Sequence, residues 1–182
     1  DFSCLRWNGL EGTRAAFGVR YPVGVTEELC ATDAYVRSCE ATVEQVTDGG
    51  VVLDRTVFYA RSGGQPGDTG VLRWDGGETR VVDTVKEAGS PLHQVEGVPL
   101  PVGAAVTAEI DWGRRHRLMR THTALHALSA VVFRDYHAKV TGGNMEPGVA
   151  RMDFELETID AEFGREVEDN STPSSTPTGP CT

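Results

Sequence analysis

The alternation of apolar and polar residues divides the chain into a region of short strands followed by a region of helical period. From Cys39, "CEATVEQV" reaches "DGG" at 48–50 and resumes as "VVLDRTVF". Two β-rich runs joined by an Asp-Gly turn predict a hairpin. A second hairpin follows as "GVLRW", "DGG" at 75–77 and "ETRVVDTV", and two more short candidates are "PLHQVEG" at 91–97 and "AAVTAEID" at 104–111. Strands this short, at this spacing, predict a small antiparallel barrel or bent sheet over about residues 33–111.

The period then changes. Leu118, Leu125, Leu128 and Val132 recur at helical spacing behind Asp111, a residue type that caps helix N-termini, so a helix is expected over Gly113–Asp135. The stretch "VTGGNMEPG" reads as a glycine-rich loop. In "ARMDFELE", Ala150, Met152, Phe154 and Leu156 alternate with Arg151, Asp153, Glu155 and Glu157, the pattern of a half-buried strand. Ile159, Phe163 and Val167 at four-residue spacing begin a second helix.

Both ends depart from these patterns. Residues 1–25 hold neither period for long and are expected to form a poorly ordered leader. The final "STPSSTPTGPCT" has too little apolar surface to order. A striped helix running straight into such a tail, in a chain opening at Asp1 and not Met, leads to the expectation that its natural continuation is missing.

Composition narrows the class. The 182 residues are 39% hydrophobic, enough for one ordinary domain or two small ones. Cys4, Cys30, Cys39 and Cys181 form no CxxC pair and no framework spacing, which suits a reducing compartment. No apolar run approaches a membrane span and no signal-peptide order opens the chain, so a soluble, cytoplasmic protein without a membrane partner is expected. A net charge of −10 repels nucleic acid as a whole. Any RNA contact must therefore come from a local patch, and "RRHRLMR" at 114–120 is the best one; such a run is either a solvated face or a phosphate site.

Two motifs carry chemistry. In "RTHTALHAL", His122 and His126 stand at i and i+4, a spacing that lets both imidazoles reach one ion. They border the stripe of Leu118 and Leu125 and are expected to point inward, so metal ligation and ordinary core packing both remain open. Thr123 stands where the zinc-protease HExxH motif has its glutamate, which excludes that chemistry. In "FYARSGGQPGDTG", Gly63 and Gly64 let the backbone approach a ligand and Gln65 adds an amide at the apex; the alternative is a plain strand connection.

"GGQPGDTG", "RTHTALHAL" and "AKVTGGNMEPG", in that order, resemble the editing domain of alanyl-tRNA synthetase and the free-standing alanyl-tRNA editing proteins of the medium-length type, from about Glu27 to Phe163. The resemblance implies an α+β fold: a barrel-like domain at 26–112, then an α/β editing domain at 113–169, truncated, with a tail at 170–182. It implies trans-editing of mischarged tRNA(Ala), by hydrolysis of the ester carrying serine or glycine. His122 and His126 match two zinc ligands and would act in catalysis through the metal. Gly63, Gly64 and Gln65 match a motif near the substrate, and Thr141 matches a threonine associated with recognition of the serine hydroxyl. Arg114, Arg115 and Arg117 are candidate phosphate contacts. The family's remaining ligands, a cysteine and a histidine three residues apart, have no counterpart, because no histidine follows His137 and Cys181 lies in the Ser/Thr/Pro tail. The alternative function is a non-catalytic tRNA-binding or interaction remnant. Oligomeric state has no signature in the sequence.

Overall fold

A computed structural model describes residues 25–156 and 161–171. The leader expected at 1–25, except Val25, and residues 172–182 of the expected tail lie outside the described residues, as do 157–160.

The first strand, β1 (Glu27–Glu28), pairs in parallel with the short β4 (Arg55–Thr56). The other strands of this half are β2 (Ser38–Thr47), β3 (Gly50–Leu53), β5 (Gly70–Trp74), β6 (Gly77–Glu87), β7 (Ser90–Gly97) and β8 (Ala105–Ile110). They close into an antiparallel barrel in the order β2-β3-β7-β6-β5-β8. The expected hairpins are β2–β3 and β5–β6, and a third, β6–β7, turns at Ala88 and Gly89, both at positive φ as a tight hairpin requires. Inward residues of all the strands fill the interior. Val43, Val51, Leu53, Leu72, Val81 and Val106 are almost wholly buried, with Val57 and Phe58 from the segment after β4. Each such side chain contributes about 1.5–3 kcal/mol by leaving water.

One polar side chain is sealed in with them. His93 on β7 is fully buried. Its Nδ1 faces the Val51 carbonyl at 3.1 Å and so carries the hydrogen, leaving Nε2 to accept from the Thr56 hydroxyl at 2.8 Å. Thr56 Oγ1 in turn accepts from the Phe58 amide. A neutral imidazole is thus fully satisfied, and burial pushes its pKa down to about 4.

Asp111 caps α1 (Trp112–Tyr136), accepting from the Arg114 amide at 3.0 Å. The helix extends one residue beyond the expected range at each end and closes on His137 in the left-handed conformation. At its start, the Trp112 ring lies under the Arg37 guanidinium and beside Tyr35 and His116, fastening the helix to the barrel.

The stretch expected to be a glycine-rich loop is instead a strand, β9 (Val140–Glu146), paired with β10 (Val149–Phe154). Its glycines fit because the neighbouring backbone is close. A Cβ on Gly143 would lie 2.7 Å from the Arg151 carbonyl oxygen. In β10 the expected burial of one face is only partial. Ala150 is exposed, whereas Met152 and Phe154 are half-buried, since Phe154 alone of these reaches the cluster that joins α1 to α2 (Ala161–Ser171). Phe163 and Val167 enter that cluster against Leu128, Val131 and Val132.

Candidate functional site

The residues of the glycine-rich loop reach the helix through two side-chain connections. The first is buried. Arg115 is 3% exposed and Asp68 1% exposed, and the guanidinium grips the carboxylate with Nε at 3.0 and 2.9 Å from its two oxygens and with Nη2. Arg115 also donates to the Ala34 and Val57 carbonyls at 3.0 and 2.8 Å. Asp68 accepts from the Tyr59 amide at 2.7 Å. The second connection is Gln65, 7% exposed, whose Oε1 lies 2.9 Å from His122 Nδ1. An amide oxygen only accepts, so Nδ1 carries the hydrogen and the lone pair of the neutral ring is on Nε2.

His122 and His126 stack with ring centroids 4.8 Å apart and planes 14° apart. His122 is half-buried and His126 exposed. Both line the wall of an open cavity, so neither is the inward-pointing core residue that the stripe of Leu118 and Leu125 suggested. The cavity, of about 540 Å³, lies between α1, the loop and β9–β10. Gly63, Gly64 and Thr141, expected at a substrate site, line it with the two histidines. Gln65 stands behind His122 and reaches the cavity only through that ring.

Gly64 shows why this loop needs glycine. Its φ is +81°, an added Cβ would lie 2.9 Å from the Gly143 carbonyl oxygen, and its own carbonyl accepts from the Met145 amide. The loop is thereby stitched to β9, and the cavity gains a continuous wall.

The three arginines expected to contact phosphate do not act together. Arg115 is corrected outright, because its guanidinium is buried and spent on Asp68 and two carbonyls. Arg114 is half-buried and turns Nη2 toward the Gly67 carbonyl at 3.3 Å. Arg117 alone is exposed, in a separate groove. Sequence reasoning also passed over Ser129, which lines the cavity seven residues after His122, and Arg151 opposite it on β10. Counting 122, 125, 126 and 129 along one helix face would have found the serine.

The donor set fits a metal in part. Two imidazoles on one helix turn, one with its tautomer set by an amide behind it, are the ligand type and outer support that zinc uses. Among the described residues, however, no group of three or more His, Cys, Asp or Glu side chains could hold an ion. The pair amounts to two ligands of a shell that takes four.

Comparison with known proteins places the chain in context. Residues 25–114 match the family model described as tRNA synthetases class II (A). Over 153 residues the chain is 44% identical to the alanyl-tRNA editing protein AlaX-M of Methanosarcina mazei, covering 79% of this chain and 61% of the relative. The AlaX-M protein of Saccharolobus solfataricus is 40% identical over 139 residues, 75% of this chain and 59% of the relative. The alanine–tRNA ligase of Pyrobaculum neutrophilum is 43% identical over 141 residues, 77% of this chain and 15% of the ligase. The chain thus spans about three fifths of the length of the editing relatives and a small part of the ligase.

Proposed function

Because the chain is related to alanyl-tRNA synthetase and, over most of its length, to alanyl-tRNA editing proteins, we propose that it serves alanyl-tRNA editing in the cytoplasm, hydrolysing serine or glycine from mischarged tRNA(Ala). The observation that carries this reading is the single cavity that gathers His122, His126, Gly63, Gly64 and Thr141, with Gln65 behind His122. Its volume of about 540 Å³ suits an aminoacyl group and part of a ribose.

The chemical need is discrimination. A synthetase pocket shaped for alanine rejects a side chain that only adds a hydroxyl by about 10²-fold, whereas a site that hydrogen-bonds the hydroxyl can reject the analogue lacking it by about 10⁴- to 10⁵-fold. Thr141 brings one donor and two acceptor lone pairs to the cavity wall, the capacity such recognition requires. Gly63 and Gly64 leave the opposite wall without side chains, so the ester can lie close to backbone. Gln65 holds His122 in the Nδ1–H tautomer, which presents Nε2 as a base or ligand. Zinc bound by His122 and His126 with further ligands would lower the pKa of a bound water toward about 7, or hold the substrate's amino group.

The test combines metal analysis of the purified chain with release of serine from Ser-tRNA(Ala), for the native protein and His122→Ala. Bound zinc and serine release, both lost in the variant, support the proposal. A second reading, a non-catalytic tRNA-binding module, is favoured by the lack of a third metal ligand among the described residues. It stands if tRNA binds while zinc is missing and the ester is untouched.

A further inference from the structure

A second concave surface lies on the other side of Leu125. Arg117, Arg120, Thr121, Ala124 and Leu128 of α1 face Gly148 and Ala150 of the β9–β10 hairpin across a groove of about 460 Å³. Leu125 is common to the walls of this groove and of the histidine cavity, so the two are continuous over one side chain. Thr121 closes one end, donating to the Arg117 carbonyl at 2.9 Å and accepting from the Gly148 amide at 3.0 Å.

The charge of this groove is out of keeping with the chain. The protein carries −10 overall, and half of its described arginines are neutralised: Arg55, Arg61, Arg73, Arg115, Arg134 and Arg151 each have a carboxylate partner. Arg117 and Arg120 are exposed, and among the described residues neither has one. From Trp112 to Arg134 the helix contains no Asp or Glu at all. Three residues apart, the two guanidiniums are neighbours on one helix face. The floor between them is small and apolar, from Ala124, Leu125, Leu128 and Ala150. Cations on the rim over an apolar floor match a strand that alternates phosphate with the carbon faces of sugar. The two leucines form the floor of the recess, and no lining residue is an aromatic that could anchor in a lipid surface.

We propose that this groove holds the phosphodiester backbone of the RNA strand leading to the 3′ end whose ester enters the histidine cavity, with Arg117 and Arg120 as its phosphate contacts. The proposal rests on the editing reading and goes beyond it by naming where the strand runs. Of the three arginines expected to contact phosphate, it retains Arg117 and adds Arg120 in place of Arg114 and Arg115.

The experiment measures binding of the full chain to a labelled hairpin RNA with a single-stranded 3′ overhang, over a range of salt. Arg117→Ala/Arg120→Ala should reduce the slope of log K against log salt by about 1.4, the single-strand value for two phosphate contacts, and weaken binding about 25-fold at 0.1 M salt. Arg117→Lys/Arg120→Lys should retain most of the slope, since Lys serves phosphate as a point charge. Arg80→Ala/Arg165→Ala removes the same charge elsewhere and should leave the slope as it was. An unchanged slope in the first variant, an equal change in the Arg80/Arg165 variant, or an equal loss on a blunt hairpin without the overhang would each overturn the groove while leaving the editing reading intact. If the native chain binds no RNA at all, both fall together.

Discussion

Replacing Arg115 with alanine tests the energetics that connect the fold to the site. The substitution strands the Asp68 carboxylate, 1% exposed, with the Tyr59 backbone amide as its remaining donor, and leaves the Val57 and Ala34 carbonyls without the guanidinium. Breaking a buried pair by deleting one partner costs about 3–5 kcal/mol, because an uncompensated charge remains behind. That is a large part of the roughly 5–15 kcal/mol that holds a domain folded. At about 2–4 °C per kcal/mol for a chain of this size, the midpoint of thermal unfolding should fall by about 10 °C. Urea unfolding measures the same loss directly. The surface pair Arg61–Asp83 provides the contrast, since the Arg61 side chain is 61% exposed and Arg61→Ala should cost less than about 1 kcal/mol. Asp68→Asn with Arg115→Met should be milder than Arg115→Met alone, since no charge is stranded. A cost below about 1 kcal/mol for Arg115→Ala would refute the reasoning, and so would a double variant as unstable as the sum of the single ones.

Two further outcomes follow from named hydrogen bonds. His93 has its pKa lowered from 6.5 to about 4 by burial, so between those values the unfolded chain binds a proton that the native chain does not. Stability is therefore full above pH 6.5 and declines by about 3 kcal/mol as pH falls toward 4; urea midpoints across that range should lose this component in His93→Leu, and an unchanged pH slope in that variant would contradict it. Gln65→Ala removes the acceptor that sets the His122 tautomer, so nitrogen NMR should change from the Nδ1–H form to a mixture, and the zinc binding proposed for this pair should weaken about 10- to 100-fold. Gln65→Glu, which restores an acceptor, should recover the tautomer; identical spectra in the native chain and Gln65→Ala would sink the assignment.

The parts of this protein that are legible in its sequence are those whose cause is local. Asp-Gly turns at 48–49 and 75–76 announce two of the barrel's hairpins, and Asp111 marks the start of α1 because a cap and its helix are neighbours in the chain. β9 escapes such a reading, since its glycines and polar residues resemble a loop and are explained only by the backbone packed beside them. Arg115 escapes for the same kind of reason. Within "RRHRLMR" it looks like any other cation, and its burial depends on Asp68, which reaches it from 47 residues earlier. The histidine pair could be placed on one helix face from its spacing, but the contact that orders His122 comes from Gln65, 57 residues away. The motif resemblance located Gln65 near the cavity; only the fold shows that it lies behind the His122 ring rather than in the cavity wall.

Arg115 and His122 are seven residues apart, two turns along one stripe of α1, and their partners Asp68 and Gln65 are three residues apart in one loop. Riveted at both points, loop and helix form a stiff plate. The hairpin β9–β10 faces that plate across the cavity and is joined to it without a buried ion pair, by amide bonds from Met145 to Gly64 and from Gly148 to Thr121 and by Phe154 in the apolar cluster with Leu128 and Val132. The cavity is therefore built like a vice, with one jaw fixed by a buried ion pair and the other set by backbone pairing and apolar packing. The fixed jaw holds the His122 ring, on which His126 stacks, and the hairpin that carries Thr141 forms the jaw facing it.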